Sequence, residues 1–97
     1  IMKAELIFRD RLDLPDGTII EMVIWRVPEA VPPSDHPFKY RLFFGRAGER
    51  IVGYDNERGK GDHKHIRDRE TVYRFSDPET LIADFIADVE KERGRDG

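Results

Sequence analysis

The segment FKYRLFFG, residues 38–45, sets Phe38, Tyr40, Leu42 and Phe44 at every second position. A repeat of two puts those side chains on one face of an extended strand, because successive residues point to opposite sides. Such a strand holds only when its apolar face is covered, so this segment demands a sheet and a second layer. KAELIFRD (3–10) alternates in the same way. Ala4, Leu6 and Phe8 face one side, and Glu5, Ile7 and Arg9 the other. TIIEMVIWRV (18–27) is rich in β-branched residues and apolar on both faces for part of its length, which predicts a central strand. LPDGT (14–18) joins the two as a turn, since proline presets its backbone angle and Gly17 accepts positive φ. The pair reads as an antiparallel hairpin.

PEAVPPSDHP (28–37) holds four prolines, each of which removes a donor and restrains its predecessor. It reads as a loop. After strand 38–45, RAGE (46–49) turns the chain and RIVGYD (50–55) returns, giving a second hairpin. NERGKGDHKHIRDRE (56–70) is polar. Within it DHKHI alternates like a strand, and TVYRF (71–75) reads as a short last strand. The chain then changes period. Leu81, Ile82, Phe85, Ile86 and Val89 recur at helical spacing. Ser76 with Glu79 three residues on has the pattern of a capping box, and Pro78 suits a first turn.

The expected fold is α+β: an antiparallel sheet of about five strands with one C-terminal helix packed on a face. Residues 1–97 form a single domain, a size that buries a modest core. The basic tail, 91–97, is expected to fray. Trp25 and Tyr40 are expected in the core. The second sheet face has no assigned cover. Ile7, Ile19, Val23 and Trp25 are the candidates for a homodimer or partner surface there.

There is no cysteine, which excludes disulfides, a thiolate nucleophile and cysteine-based zinc sites. No apolar run approaches the roughly 20 residues that cross a bilayer, and no membrane partner is expected. No basic-then-apolar leader stands ahead of the first strand, so a cytoplasmic location is the expectation. The Ile1–Met2 opening reads as one residue added before a native start. The formal net charge of −3 argues against wholesale coating of DNA, though a local basic patch can still meet nucleic acid.

Chemistry-bearing residues are densest in YDNERGKGDHKH, 54–65. Asp55 and Asn56 can open a turn by bonding nearby backbone N–H groups, and Gly59 and Gly61 loosen it. On a strand His63 and His65 share a face, about 6–7 Å apart. Histidine suits proton transfer near neutral pH. Three tasks fit. One imidazole could take a proton from an RNA 2′-hydroxyl while another group, from among His63, His65, Asp62, Lys60 and Tyr54, protonates the leaving oxygen. Arg58, Lys64 and Lys60 would then hold phosphate charge, with Lys39 and Arg41 extending a basic track. A metal could instead be held by His63, His65 and Asp62 or Asp55, although the spacing matches neither a zinc finger nor HExxH. The third task is phosphate or RNA-backbone binding without chemistry. Against all three stands a solvated loop, since residues 55–70 carry five basic and five acidic side chains that can neutralise each other. His36 is expected at the surface of the proline loop.

These residues carry a resemblance. Tyr54, Asp55, Asn56, Gly59, Lys60, Gly61, Asp62, His63 and His65 follow the pattern of the TumE-type toxin family, as do Tyr73, Arg74 and Phe75 before the helix. The opening hairpin is similar too, so the resemblance spans roughly residues 3–90. It implies a growth-inhibiting toxin, neutralised by a separate antitoxin that typically carries a helix-turn-helix. Glu57-Arg58 is a visible departure from the family pattern. Added to the residues themselves, the resemblance makes an RNA-directed toxin the leading expectation, acting as a metal-independent ribonuclease with no cofactor. The rivals are a noncatalytic protein-interaction module and a metal-dependent phosphodiester hydrolase.

Overall fold

The structure is a computed structural model that describes residues 3–96. Ile1, Met2 and Gly97 lie outside the described residues, and with them the reading of the opening dipeptide and the last residue of the tail. One antiparallel sheet runs in chain order through β1 (Glu5–Asp13), β2 (Ile19–Arg26), β3 (Phe38–Arg46), β4 (Glu49–Glu57), β5 (Gly61–Ile66) and β6 (Arg69–Val72). Helix α1 (Pro78–Asp96) lies across one face.

The α+β expectation holds, with six strands rather than about five. The strand-like DHKHI is a full strand, β5, joined to β6 by a two-residue connection at Arg67 and Asp68. Arg67 takes φ of 55°, the left-handed region that glycine or asparagine would advertise. No such residue marks the turn, so the sequence does not advertise how tight the connection is. The final strand ends at Val72, and Tyr73–Phe75 lead out of the sheet toward the helix.

The core lies between the sheet and α1. Ile20, Met22 and Ile24 of β2 join Tyr40, Leu42 and Phe44 of β3 and Val52 and Tyr54 of β4. Leu81, Phe85 and Val89, four residues apart, close it from the helix. The helix is capped by Asp77, not Ser76: Oδ1 of Asp77 accepts the Thr80 N–H at 2.7 Å. Asp77 immediately precedes Pro78, which favours the first helical position, so the cap falls one residue later than a Ser76 box predicts. The helix continues through Lys91 and Arg93 to Asp96, and Glu92 within that stretch is buried against Arg67 Nε at 2.8 Å.

A bulge breaks β1. Leu6 pairs with Trp25, but Phe8 pairs with Ile24, so Ile7 is an extra residue. Leu6 and Phe8 therefore face opposite sides, against the simple alternation. Trp25 sits half-buried on the face away from α1, outside the core where its size had suggested it. Asp55 and Asn56 are strand residues and do not open the turn. The turn is Glu57–Lys60, closed by a Lys60 N–H bond to the Glu57 carbonyl, with Gly59 and Gly61 at φ of 89° and 76°. Asn56 is fully buried and spends its side chain across the sheet. Its Oδ1 accepts the Tyr40 N–H at 3.0 Å, and its Nδ2 donates to the Phe38 carbonyl at 2.7 Å. The ladder between β3 and β4 has stopped at Arg41 and Asp55, so the amide stands in for the missing backbone partner.

Candidate active site on the open sheet face

Cross-strand register decides which side chains meet. Two rows cross the face opposite the helix. One runs Val23, Arg41, Asp55, His63, Val72; the next runs Glu21, Phe43, Gly53, His65, Glu70. His63 and His65 thus share a face, as their spacing predicts, and their rings meet edge to face at 5.3 Å.

His63 is only 4 % exposed. Its Nδ1 lies 3.0 Å from the Gly61 carbonyl, which can only accept, so that nitrogen carries the proton of the neutral ring. Its Nε2 lies 2.6 Å from Oδ1 of Asp55. That approach lacks hydrogen-bond alignment, and both atoms are buried without a hydrogen-bond partner. Nδ1 of His65 is the third such buried atom, while its Nε2 lies 3.3 Å from Oε2 of Glu70. Glu70 is fixed in turn by Lys60 Nζ at 3.0 Å.

Arg50 completes this side. Gly53 offers no side chain, and the Arg50 stem occupies the space: a Cβ on Gly53 would meet Arg50 Cδ at 2.5 Å. Burial, and then the Arg50 charge, push the His65 pKa below its ordinary value, so the ring is neutral near pH 7. The Lys60 hydrogen bond holds Glu70 below the usual carboxylate range. Arg41 stands in the same row as Asp55. Arg50 was missed by the sequence reading. Its signal is the glycine at Gly53 within a strand, which marks close approach by another group.

The other predicted site residues go elsewhere. Asp62 lies on the helix side, and Oδ2 accepts from the Tyr40 hydroxyl and from His36 Nε2, each at 2.7 Å. Oδ1 accepts from the Ser34 hydroxyl. His36 Nδ1 takes the Phe38 N–H, and its ring stacks on Phe75 at 3.8 Å between centroids. His36 is therefore an enclosed clasp, not a surface residue. The proline loop is drawn inward by the Gly59 N–H bond to the Pro32 carbonyl. Tyr54 also points to the helix and donates to Asp88. Burial first, and that hydrogen bond second, push its pKa far up, so it stays protonated. Lys64 joins it, with Nζ 3.3 Å from Asp88. Lys39 Nζ donates to the Asn56 carbonyl at 2.5 Å, and Arg58 is exposed at the turn. The dense segment is thus two clusters back to back. Odd-numbered Asp55, His63 and His65 face the open side, and even-numbered Tyr54, Asn56, Asp62 and Lys64 serve the helix side.

A family model described as toxin TumE matches residues 2–93. The chain belongs to the TumE toxin family. It is accordingly the toxin component of a toxin–antitoxin system, and the family points to an antitoxin partner. No curated protein and no solved structure matches the chain. Among the described residues no helix is long and apolar enough to cross a membrane. The TumE match takes in both clusters, so family membership alone does not separate the residues that act from those that hold the sheet together.

Proposed function

We propose that this toxin acts on RNA and cleaves its phosphodiester backbone at the open-face histidine pair. The observation that carries the reading is the grouping of His63 and His65 with Arg50 and the Lys60–Glu70 pair on the sheet face opposite the helix. Cleavage of RNA needs a proton removed from the 2′-hydroxyl as oxygen attacks phosphorus, and a proton supplied to the departing 5′-oxygen. It also needs positive charge where the phosphoryl oxygens gain negative charge. A neutral imidazole suits the first need, and the guanidinium of Arg50 suits the last. Phe43 and Trp25 on the same face offer rings on which unpaired bases can stack.

Asp62 and Tyr54 are not assigned to the chemistry, because each is committed to structural hydrogen bonds on the helix side. The antitoxin, expected to carry a helix-turn-helix, would neutralise by covering the open face. Val72 stands 87 % exposed at its rim as an apolar contact for such a partner. A second copy of the chain would cover the same residues.

The test is cleavage of a mixed RNA pool by purified protein, with chelator and, separately, with added divalent ions. The His63→Gln/His65→Gln double variant, shown folded by circular dichroism, is run beside it. Cleavage by the parent alone upholds the reading. Equal cleavage by both sinks it and moves the chemistry to other residues; none by the parent under either condition sinks it and leaves the toxin as a noncatalytic binder. The chelator arm separates metal-free acid–base chemistry from ion-assisted cleavage.

A further inference from the structure

We propose that Asp55, His63 and His65 form a three-ligand site for one divalent transition-metal ion. Asp55, His63 and His65 each offer one ligand atom, and the three atoms lie within 4.8 Å of one another. Donors about 2.1 Å from a shared ion stand roughly 3–4 Å apart, so modest side-chain adjustment closes the set around a cation.

The hydrogen-bond pattern supplies an independent argument. Asp55 Oδ1, His63 Nε2 and His65 Nδ1 are the only buried side-chain nitrogen or oxygen atoms among the described residues that lack a hydrogen-bond partner. Leaving such atoms unpaired in a sheet interior is costly, and three together are a cluster that calls for an occupant. Glu70 Oε2 borders the cluster, 3.4 Å from His63 Nε2 and 3.3 Å from His65 Nε2. His63 Nδ1 meets the Gly61 carbonyl, and His65 Nε2 meets Glu70. The backbone carbonyl on His63 Nδ1 is the kind of outer partner that orients a metal-binding histidine and leaves its other nitrogen as a lone pair. In that tautomer His63 Nε2 and Asp55 Oδ1 are two acceptors 2.6 Å apart, an arrangement that a positive charge between them relieves.

A proton on His63 Nε2 would relieve it too. That alternative leaves His65 Nδ1 unpaired, and the approach to Asp55 lacks the alignment of a hydrogen bond. Two imidazoles and one carboxylate suit zinc, manganese, iron or nickel better than calcium or magnesium, which favour oxygen. Three protein ligands leave a fourth position of a tetrahedral ion to be filled by a molecule other than the protein. Of the cations nearby, Lys60 is balanced by Glu70 at 3.0 Å. An ion here would take the nitrogens that free-imidazole proton transfer needs, so cleavage at the loaded site would be ion-assisted, a use that rests on the function proposed above. As a metal site it stands alone.

The test is binding, read without RNA. Tag-free full chain is stripped with chelator, desalted and titrated with Zn²⁺ by calorimetry and with Co²⁺ by visible absorption. The expected result is one ion per chain, a rise in the melting temperature with Zn²⁺, and Co²⁺ bands of a nitrogen–oxygen site. His65→Gln and Asp55→Asn, each confirmed folded, should weaken Zn²⁺ binding by about 100-fold and abolish the thermal shift. His65 is partly exposed, so its variant keeps the test open if changes at buried His63 unfold the chain. No binding by the folded parent, or unchanged affinity in both variants, overturns the site. Ion binding without RNA cleavage would sink the proposed function and leave the site standing. Cleavage by a chain that binds no ion would do the reverse.

Discussion

His36 and Asp62 are 26 residues apart in the chain and 2.7 Å apart in the fold. That contact ties the proline loop to β5. Asp62 also accepts from the hydroxyls of Tyr40 and Ser34, so one carboxylate serves three donors from two segments. Asp62→Ala should therefore destabilise the fold by about 3 kcal/mol, because it strands buried donors whose burial then goes uncompensated. Tyr40→Phe removes one donor and should cost about 1 kcal/mol. Urea unfolding at constant m-value measures both. A catalytic Asp62 would give the opposite profile, with activity lost and the midpoint unchanged.

Asn56 makes a second structural claim. It replaces backbone hydrogen bonds where β3 and β4 separate, with 0 % of its surface exposed. Asn56→Ala should cost about 2–3 kcal/mol, since the Tyr40 N–H and the Phe38 carbonyl both lose a partner. Asn56→Asp should be no milder, because a carboxylate cannot donate to that carbonyl. Native-state amide exchange at Tyr40 gives the direct reading. Protection there should fall in Asn56→Ala by more than at Phe44, farther along the strand and still backbone-paired.

Most of the architecture was legible in the period of the apolar residues, which separates strands from a helix without any contact being known. The switch after residue 75 from spacing by two to spacing by three and four placed α1 within its observed bounds. What stayed hidden were places where one residue breaks a local rule for a distant partner. The bulge at Ile7 leaves no mark on the alternation of residues 3–10. Asp55 and Asn56 look like turn formers, and only the cross-sheet bonds of Asn56 show why they remain extended. His36 looks like a surface residue until the loop is folded back onto Asp62. In the site, alternation placed His63 and His65 together. It could not choose between Asp55 and Asp62 as their companion, because that depends on the register of β4 against β5.

Helix capping gives a pH-dependent prediction. The Thr80 N–H bond holds the Asp77 pKa below its ordinary value. A carboxyl group with a lowered folded pKa stabilises the fold fully above its unfolded pKa. That contribution is lost as pH falls from about 3.8, the unfolded value, through the folded one. Thermal unfolding of the parent should therefore lose stability across that acid range, while Asp77→Asn should show a shallower slope. Asparagine also caps, so at pH 7 the two should melt within a few degrees of each other. An identical acid slope in the two proteins would show that Asp77 does not carry this linkage.

Arg50 and Gly53 test the open face without touching either histidine. A Cβ at Gly53 meets the flexible stem of Arg50 and not backbone, so the arginine can move aside at little cost to folding. Alanine also suits a strand at least as well as glycine. Gly53→Ala should leave the melting temperature nearly unchanged yet displace the guanidinium from its place beside His65. RNA affinity should fall about tenfold, the loss of one well-placed cationic contact, and Arg50→Ala should fall by a similar amount. Because both changes remove the same interaction, the double variant should be no weaker than Arg50→Ala alone. Losses that simply add would mean that Gly53 matters for some reason other than the room it leaves for Arg50. The two variants should also release His65 from the positive charge that lowers its pKa, so its imidazole signals in an NMR titration should move to higher pH. A shift in that direction in both, with the fold intact, would place the guanidinium at the histidine pair in solution.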